Sequence, residues 1–268
     1  MTIDLSDYER GEPLAGDYSD ELKDLQDRLA RLQARMIVHR KRAILLLEGW
    51  DAAGKGGIVK RLTAGLDPRY FEVYPIAAPT PEEKERHFLW RFWRDLPGEG
   101  DFSIFDRSWY GRVLVERVEG FASEAEWTRG FDEINEFEAS QTDLGTILIK
   151  LFVHVTQEEQ DRRFIDRLEK PHKRWKITAE DFRNRKKRGD YLDAVHAMFE
   201  RTDTRWAPWT AIDGNHKKSA RIAALKTVAD RLDAALPGDF PELDKQVAKA
   251  AKKALGWGKS EKDRAEPK

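Results

Sequence analysis

Residues 43–57 constrain this chain more than any others. Ala43-Ile44-Leu45-Leu46-Leu47 is an apolar run without alternation, so it reads as a strand buried on both faces. Gly49-Trp50-Asp51-Ala52-Ala53-Gly54-Lys55-Gly56 follows with the spacing Gly-x-x-x-x-Gly-Lys, and Ile58 begins a helix reaching about Ala64. A buried strand, a glycine-rich turn and a helix start are the setting in which backbone N–H groups cradle phosphate oxygens. Gly49, Ala52, Ala53, Gly54, Gly56 and Gly57 are the candidate loop residues. Lys55 adds a point charge able to reach phosphates in transfer. A glycine-rich turn with a chance lysine is the bland alternative, and the strand before it weighs against that.

The residue after such a lysine is usually Ser or Thr, whose hydroxyl binds magnesium. Here it is Gly56, so the oxygen must come from elsewhere. Asp51 is the candidate. A carboxylate inside an anion-binding loop would repel phosphate unless a cation sat between them, so Asp51 reads as a metal ligand or a base. A second strand candidate, Phe102 to Phe105, ends at Asp106, which would stand beside the loop as a second metal ligand. Arg107 and Arg112 follow and can offer bidentate contacts to phosphate. Their structural alternative is ion pairing with Glu116 or Glu119. Mg2+ is the expected cofactor, with Mn2+ able to take its place.

Elsewhere strands and helices alternate. Strands are expected at 71–76, 146–155 and 208–213. Helices are expected at 82–95, at 110–142 with a break near Gly120, and at 158–169, 189–202 and 216–236. This order predicts an α/β fold, a P-loop NTPase-like parallel sheet flanked by helices. A helix starting near Ser19 carries Leu22, Leu25, Leu29, Leu32 and Met36 as one stripe, which suits either a dimer seam or the chain's own core. The expected organisation is a flexible arm at 1–18, a P-loop domain at 19–236 and a basic tail at 237–268.

Lys170 to Arg188 holds nine Lys or Arg against two acids. That density repels itself unless a polyanion passes over it. Its position matches the mobile lid of small P-loop kinases, at about 170–190, which brings arginines onto the transferring group and excludes water. Lys173, Arg174, Lys176, Arg183, Arg185, Lys186 and Arg188 are the candidate lid and polyanion contacts. His39, His87 and His154 are read as structural. Among Phe88, Trp90, Phe92 and Trp93, part belongs to the core and one face could stack a base.

Composition removes other classes. With no Cys, a disulfide scaffold, a Cys-ligated zinc site and a Cys nucleophile are excluded. The 48 Lys plus Arg nearly cancel 49 Asp plus Glu, so no global field draws in a nucleic acid. No apolar stretch is long enough for a membrane span, and the first residues do not read as a signal peptide. The expectation is a cytoplasmic protein with neither membrane nor nucleic-acid partners.

Taken in order, these motifs resemble the polyphosphate kinase 2 family of P-loop phosphotransferases. The resemblance rests on Gly49-x-Asp51-x-x-Gly54-Lys55-Gly56, on Phe105-Asp106-Arg107-Ser108-Trp109-Tyr110 and on Val115-Glu116-Arg117-Val118. It continues through Glu159-Gln160, Trp175-Lys176-Ile177-Thr178, Asp181 with Arg185, Tyr191 and Ala207-Pro208-Trp209. It implies a thymidylate-kinase-like core and magnesium-dependent phosphoryl transfer between inorganic polyphosphate and a nucleotide. Family roles fall on Asp51, Lys55, Asp106, Arg107 and Arg112, and the basic lid would belong to the polyphosphate channel. A homo-oligomer, dimer or tetramer, is implied as well.

Acceptors differ within the family. Gly111 stands where members acting on diphosphates often carry Asn. The stretches 109–121 and 133–138 are similar to the catalytic half of the two-domain polyphosphate:AMP phosphotransferases. AMP is therefore the expected acceptor, with ADP or GDP as the alternative. Arg188 departs from the family, where an aromatic residue is common. An ordinary ATP-dependent kinase would not need the long basic segment. A binding module without catalysis would not need Asp51, Lys55 and Asp106.

Overall fold

Ala43–Gly49 forms strand β1, and its five leading aliphatic residues have no exposed surface. Such a run is satisfied only with cover on both faces. The computed structural model of the chain describes residues 3–257. It places β1 at the centre of a parallel sheet with Phe71–Pro75 (β2), Phe102–Asp106 (β3), Ile147–His154 (β4) and Trp209–Asp213 (β5). The order is β2-β3-β1-β4-β5. The strands after β1 lie on both sides of it. The crevice above its C-terminal end is therefore the switch point where ligands bind in open α/β sheets.

The helices, in chain order, are α1 (Tyr18–Val38), α2 (Lys55–Leu62), α3 (Pro81–Lys84), α4 (Trp90–Trp93), α5 (Val115–Val118), α6 (Glu124–Asp143), α7 (Gln157–Glu169), α8 (Ala179–Lys186), α9 (Arg188–Thr202) and α10 (Lys217–Ala235). The stripe of α1 is used within the chain. Leu29, Leu32 and Met36 are buried, and Arg28 and Arg35 pair with Asp230 and Asp233 of α10.

Two expectations are corrected. The single helix at 82–95 is two short ones, α3 and α4, with a turn at His87. After the turn Leu89 and Phe92 are buried, and Phe88 meets Arg112. The arm expected to be flexible packs against the sheet. Leu5 is buried, Glu9 bonds His154, and the Gly11 N–H donates to Asp213 Oδ2 at 2.7 Å. The break expected near Gly120 is present, with Gly120 at φ +73°.

Behind the sheet lies a buried polar network. Lys150 Nζ donates to Glu138 Oε2 at 2.8 Å, Tyr110 Oη at 2.9 Å and the Thr202 carbonyl at 2.8 Å. Glu138 Oε1 accepts the Trp109 indole N–H at 3.0 Å and the Tyr110 hydroxyl at 2.8 Å. Burial pushes the Lys150 ammonium down in pKa, and Glu138 opposes that. The network pins the turn that follows Arg107.

Residues up to Leu236 form one compact unit and those from Pro237 another. The second unit carries α11 (Lys245–Leu255), capped by Asp244 and ended by Gly256 at φ +63°. Residues 258–268 of the expected basic tail lie outside the described residues. No helix among the described residues is long and apolar enough to cross a membrane.

Candidate functional site

The turn after β1 begins at Gly49, whose φ is +133° and whose missing side chain is required. A Cβ there would stand 2.2 Å from the Val153 carbonyl oxygen on β4. Gly54, at φ +116°, opens α2. Between them Ala52 takes φ +60°, a left-handed conformation that costs an alanine roughly 1–2 kcal/mol. The Ala53 N–H closes the turn on the Trp50 carbonyl at 3.1 Å. Lys55 folds back over the loop, and its Nζ donates to the carbonyls of Gly49 at 2.7 Å and Trp50 at 3.1 Å.

Asp51 stands in the middle of the site. Its Oδ1 accepts from Arg107 Nη2 at 2.9 Å and its Oδ2 from Asn184 Nδ2 at 2.9 Å. Burial opposes its ionisation, but Lys55, Arg107 and Asn184 together outweigh that and hold the carboxyl below the usual carboxylate range. Arg107 reaches Asp51 because β3 ends one residue earlier, with Asp106 in register with Leu47 of β1. The Arg107 N–H then bonds the Leu47 carbonyl at 3.0 Å, in a left-handed turn at φ +67°.

Among the described residues no three His, Cys, Asp or Glu side chains gather as a metal cage. Magnesium ordinarily takes only one or two carboxylates and completes its shell with water and substrate phosphates. The donor set fits that pattern. Asp106 makes no side-chain hydrogen bond or ion pair with a described residue, and Asp51 lies across the same strand ends with both oxygens on exchangeable donors.

The other expected residues divide. Arg185 and Arg188 line the cavity beside Asp51, together with Asn184, Gly111, Tyr191 and Gln160. Arg185 also pairs with Asp161 of α7, with Nη2 at 2.6 Å from Oδ2. Arg188 stacks over the Trp50 ring at 4.0 Å and donates to the Val155 carbonyl at 2.5 Å. The departure at position 188 is thus accommodated by Trp50, whose face takes a cation. Arg183 turns to Glu119, Lys173 to Asp166, Arg174 to the Leu168 carbonyl, and Lys176 lies over the Trp175 ring. Lys186 and Gly57 do not line the cavity beside Asp51, and neither does Arg112. Arg112 stacks on Phe88 at 4.6 Å and pairs with Glu116 at 3.3 Å, its structural alternative.

Sequence reasoning passed over three residues that touch the site. Glu48 is buried beneath the loop, where burial pushes its carboxyl up while Ser108, Lys55 and Arg107 hold it down. An acid at the end of an unalternating apolar run was the available signal. Asn184 was hidden among the lid's arginines. Arg163 looked like one more helix-surface arginine, yet it is 2% exposed and bonded to the loop. His154, read as structural, is buried and accepts the Trp50 indole N–H on Nδ1 at 2.9 Å.

A parallel sheet with a phosphate loop at its switch point, closed over by a basic helical segment, defines a P-loop-type α/β protein. The chain belongs to the polyphosphate kinase 2 family, whose model matches residues 14–239. It is 47% identical over 222 residues to the polyphosphate:AMP phosphotransferase of Pseudomonas aeruginosa, covering 83% of this chain and 45% of that protein. It is 41% identical over 210 residues to ADP-polyphosphate phosphotransferase 3 of Rhizobium meliloti, covering 78% and 74%. The crystal structure of polyphosphate kinase 2 from Arthrobacter aurescens TC1 superposes with a TM-score of 0.85 at 36% identity, covering 92% of each chain. The chain spans about half the length of the AMP-phosphotransferase relatives it matches.

Proposed function

We propose that the protein transfers a phosphoryl group from inorganic polyphosphate to a nucleotide, with AMP as acceptor and ADP as product. The observation that carries this reading is the convergence of Lys55 and Arg107 on Asp51 under the basic segment 170–190. The similarity to AMP-phosphotransferases over most of the chain supports the acceptor.

The terminal phosphate of the donor enters the loop of residues 49–56 and draws Lys55 Nζ off the carbonyls of Gly49 and Trp50. Arg107 neutralises a phosphate oxygen while remaining tied to Asp51. An oxygen of the AMP phosphate attacks the terminal phosphorus in line. The bond to the next phosphate breaks, and the shortened chain leaves as an anion. That acceptor oxygen is already anionic near neutral pH, since a phosphate second pKa is about 6. Asp51 therefore orients rather than deprotonates, and positioning with charge neutralisation supplies most of the rate. Asp51 and Asp106 are the residues that would hold Mg2+, which when bound neutralises phosphate oxygens. Arg185 and Arg188, with Asn184, cover the site and exclude water. A cytoplasmic homodimer or homotetramer belongs to the same reading, with light scattering as its check.

The test offers AMP, ADP, GMP and GDP separately with Mg2+ and long-chain polyphosphate, and resolves the nucleotides at early times by ion exchange. Rapid ADP formation from AMP, dependent on polyphosphate, is expected. ATP made readily from ADP with AMP inert would overturn the acceptor. Turnover with ATP alone, and none with polyphosphate, would overturn the donor.

A further inference from the structure

Helix α7 presents two side chains, three residues apart, to the back of the phosphate loop. Gln160 donates its amide to the Asp51 carbonyl at 3.0 Å. Arg163 donates Nη1 to the carbonyls of Ala52 at 2.9 Å and Ala53 at 2.7 Å. Its Nη2 reaches the Gly214 carbonyl at 2.5 Å and Asn215 at 3.3 Å, and its Nε reaches Glu159 at 2.6 Å. Every guanidinium N–H is thereby used. Three successive carbonyls of the loop are drawn toward one helix.

Ala52 lies between those bonds, in the left-handed region. An alanine stays there only when its surroundings over-determine it. Because each peptide is planar and trans, a carbonyl pulled backward turns the next N–H forward. The Ala52 and Gly54 N–H groups are so directed away from α7, while the Ala53 N–H closes on Trp50.

We propose that Arg163 is a positioning residue: it holds Ala52 left-handed so that the loop's N–H groups face the incoming phosphate. The ligand named here rests on the phosphotransfer reading, whereas the conformation of the loop does not. Arg163 touches no substrate. Lysine in its place would keep the charge but lose the planar fork that spans two carbonyls.

The experiment compares wild type, Arg163→Lys and Arg163→Lys with Ala52→Gly. In the free proteins, the 13Cα and 13Cβ shifts of Ala52 report its backbone conformation. Arg163→Lys should move them toward right-handed values while strand resonances stay in place. It should raise KM for polyphosphate about tenfold and leave KM for AMP unchanged. Adding Ala52→Gly should recover about a third or more of the loss, because glycine adopts positive φ freely. A purely structural role would instead lower the melting temperature without separating the two KM values. Unmoved Ala52 shifts, or equal changes in both KM values, would overturn the proposal. If wild type transfers no phosphoryl group, the function reading falls. The Ala52 shifts, with tripolyphosphate affinity by calorimetry, then still decide this inference. If Arg163→Lys does not fold, Gln160→Ala replaces it: with Arg163 intact its Ala52 shifts should stay put, and shifts that move toward right-handed values would place the hold on Gln160 and overturn the proposal.

Discussion

Asn184, on the basic segment, donates its side-chain amide to Asp51 Oδ2 in the phosphate loop at 2.9 Å. The two residues are 133 positions apart in the chain. Their bond closes the cavity and, with Arg107 on the other oxygen, leaves both oxygens of the carboxylate partnered. The basic segment is thereby tied directly to the carboxylate at the centre of the site.

That closure should be sensitive to Glu119. Arg183 Nε reaches its Oε2 at 2.9 Å and Lys187 Nζ its Oε1 at 3.3 Å. Both cations belong to the basic segment. Glu119→Gln should speed tryptic cleavage within 170–190 by about fivefold, because ion pairs whose cations stay partly exposed contribute on the order of 1 kcal/mol. Cleavage at the wild-type rate would show that the segment's other ties hold it without Glu119.

Lys55→Met should lower kcat by roughly 10²–10³-fold, the usual loss when a charge aimed at the transition state is removed. Its far-ultraviolet circular dichroism should match wild type, since Lys55 bonds only two loop carbonyls here. Turnover within about threefold of wild type would exclude Lys55 from phosphoryl transfer.

Asp51→Asn should reduce turnover by a similar factor at every pH from 5 to 8. The folded carboxyl titrates below its ordinary value, so the group stays ionised across that range. The same shift has a sign in stability. A depressed carboxyl pKa stabilises the fold above the unfolded value of about 3.9 and ceases to do so as pH falls through the folded value. The pH dependence that Asp51 contributes should therefore vanish in the variant. Urea unfolding from pH 6 to pH 3 tests it.

His154 works in the same direction near neutrality. Burial lowers its pKa, although Glu9 opposes that. As pH falls below about 6.5, the unfolded imidazole takes up a proton that the folded one refuses. Stability should fall from pH 7 to pH 5, and His154→Asn should flatten that slope in urea titrations. An unchanged slope would place the titration elsewhere.

Lys150→Met should cost about 3 kcal/mol in urea unfolding, because it strands the fully buried Glu138 carboxylate with only Trp109 and Tyr110 as donors. A loss under about 1 kcal/mol would mean that Glu138 takes up a proton in the variant instead.

Much of this molecule was legible in its residues. Ala43 to Leu47 reads as a central strand, Gly49 to Gly56 as a turn meeting a helix, and the acid at 106 as a strand end, and the strands and the helix stand there. Each is a local pattern whose meaning depends on a few neighbours. The helix at 82–95 failed because its residues favour helix individually, and nothing local marked the non-helical stretch that separates α3 from α4. The arm at 1–18 failed because Pro and Gly suggest looseness, whereas Glu9 and Gly11 find partners on strands far along the chain.

The sequence by itself determined the phosphate loop, the alternation of strands and helices, and the family. Only the tertiary structure decided which charges meet. It tied Asp51 to Arg107 and Asn184, turned Arg112 toward Phe88 and Glu116, and set Arg163 behind Ala52. The physical reason is range. Backbone conformation and burial follow from residues a few positions apart, whereas an ion pair depends on distance in space. Arginines of identical chemistry become a partner of the loop's carboxylate, a surface partner or a buried brace according to which strand ends and helices the fold brings beside them.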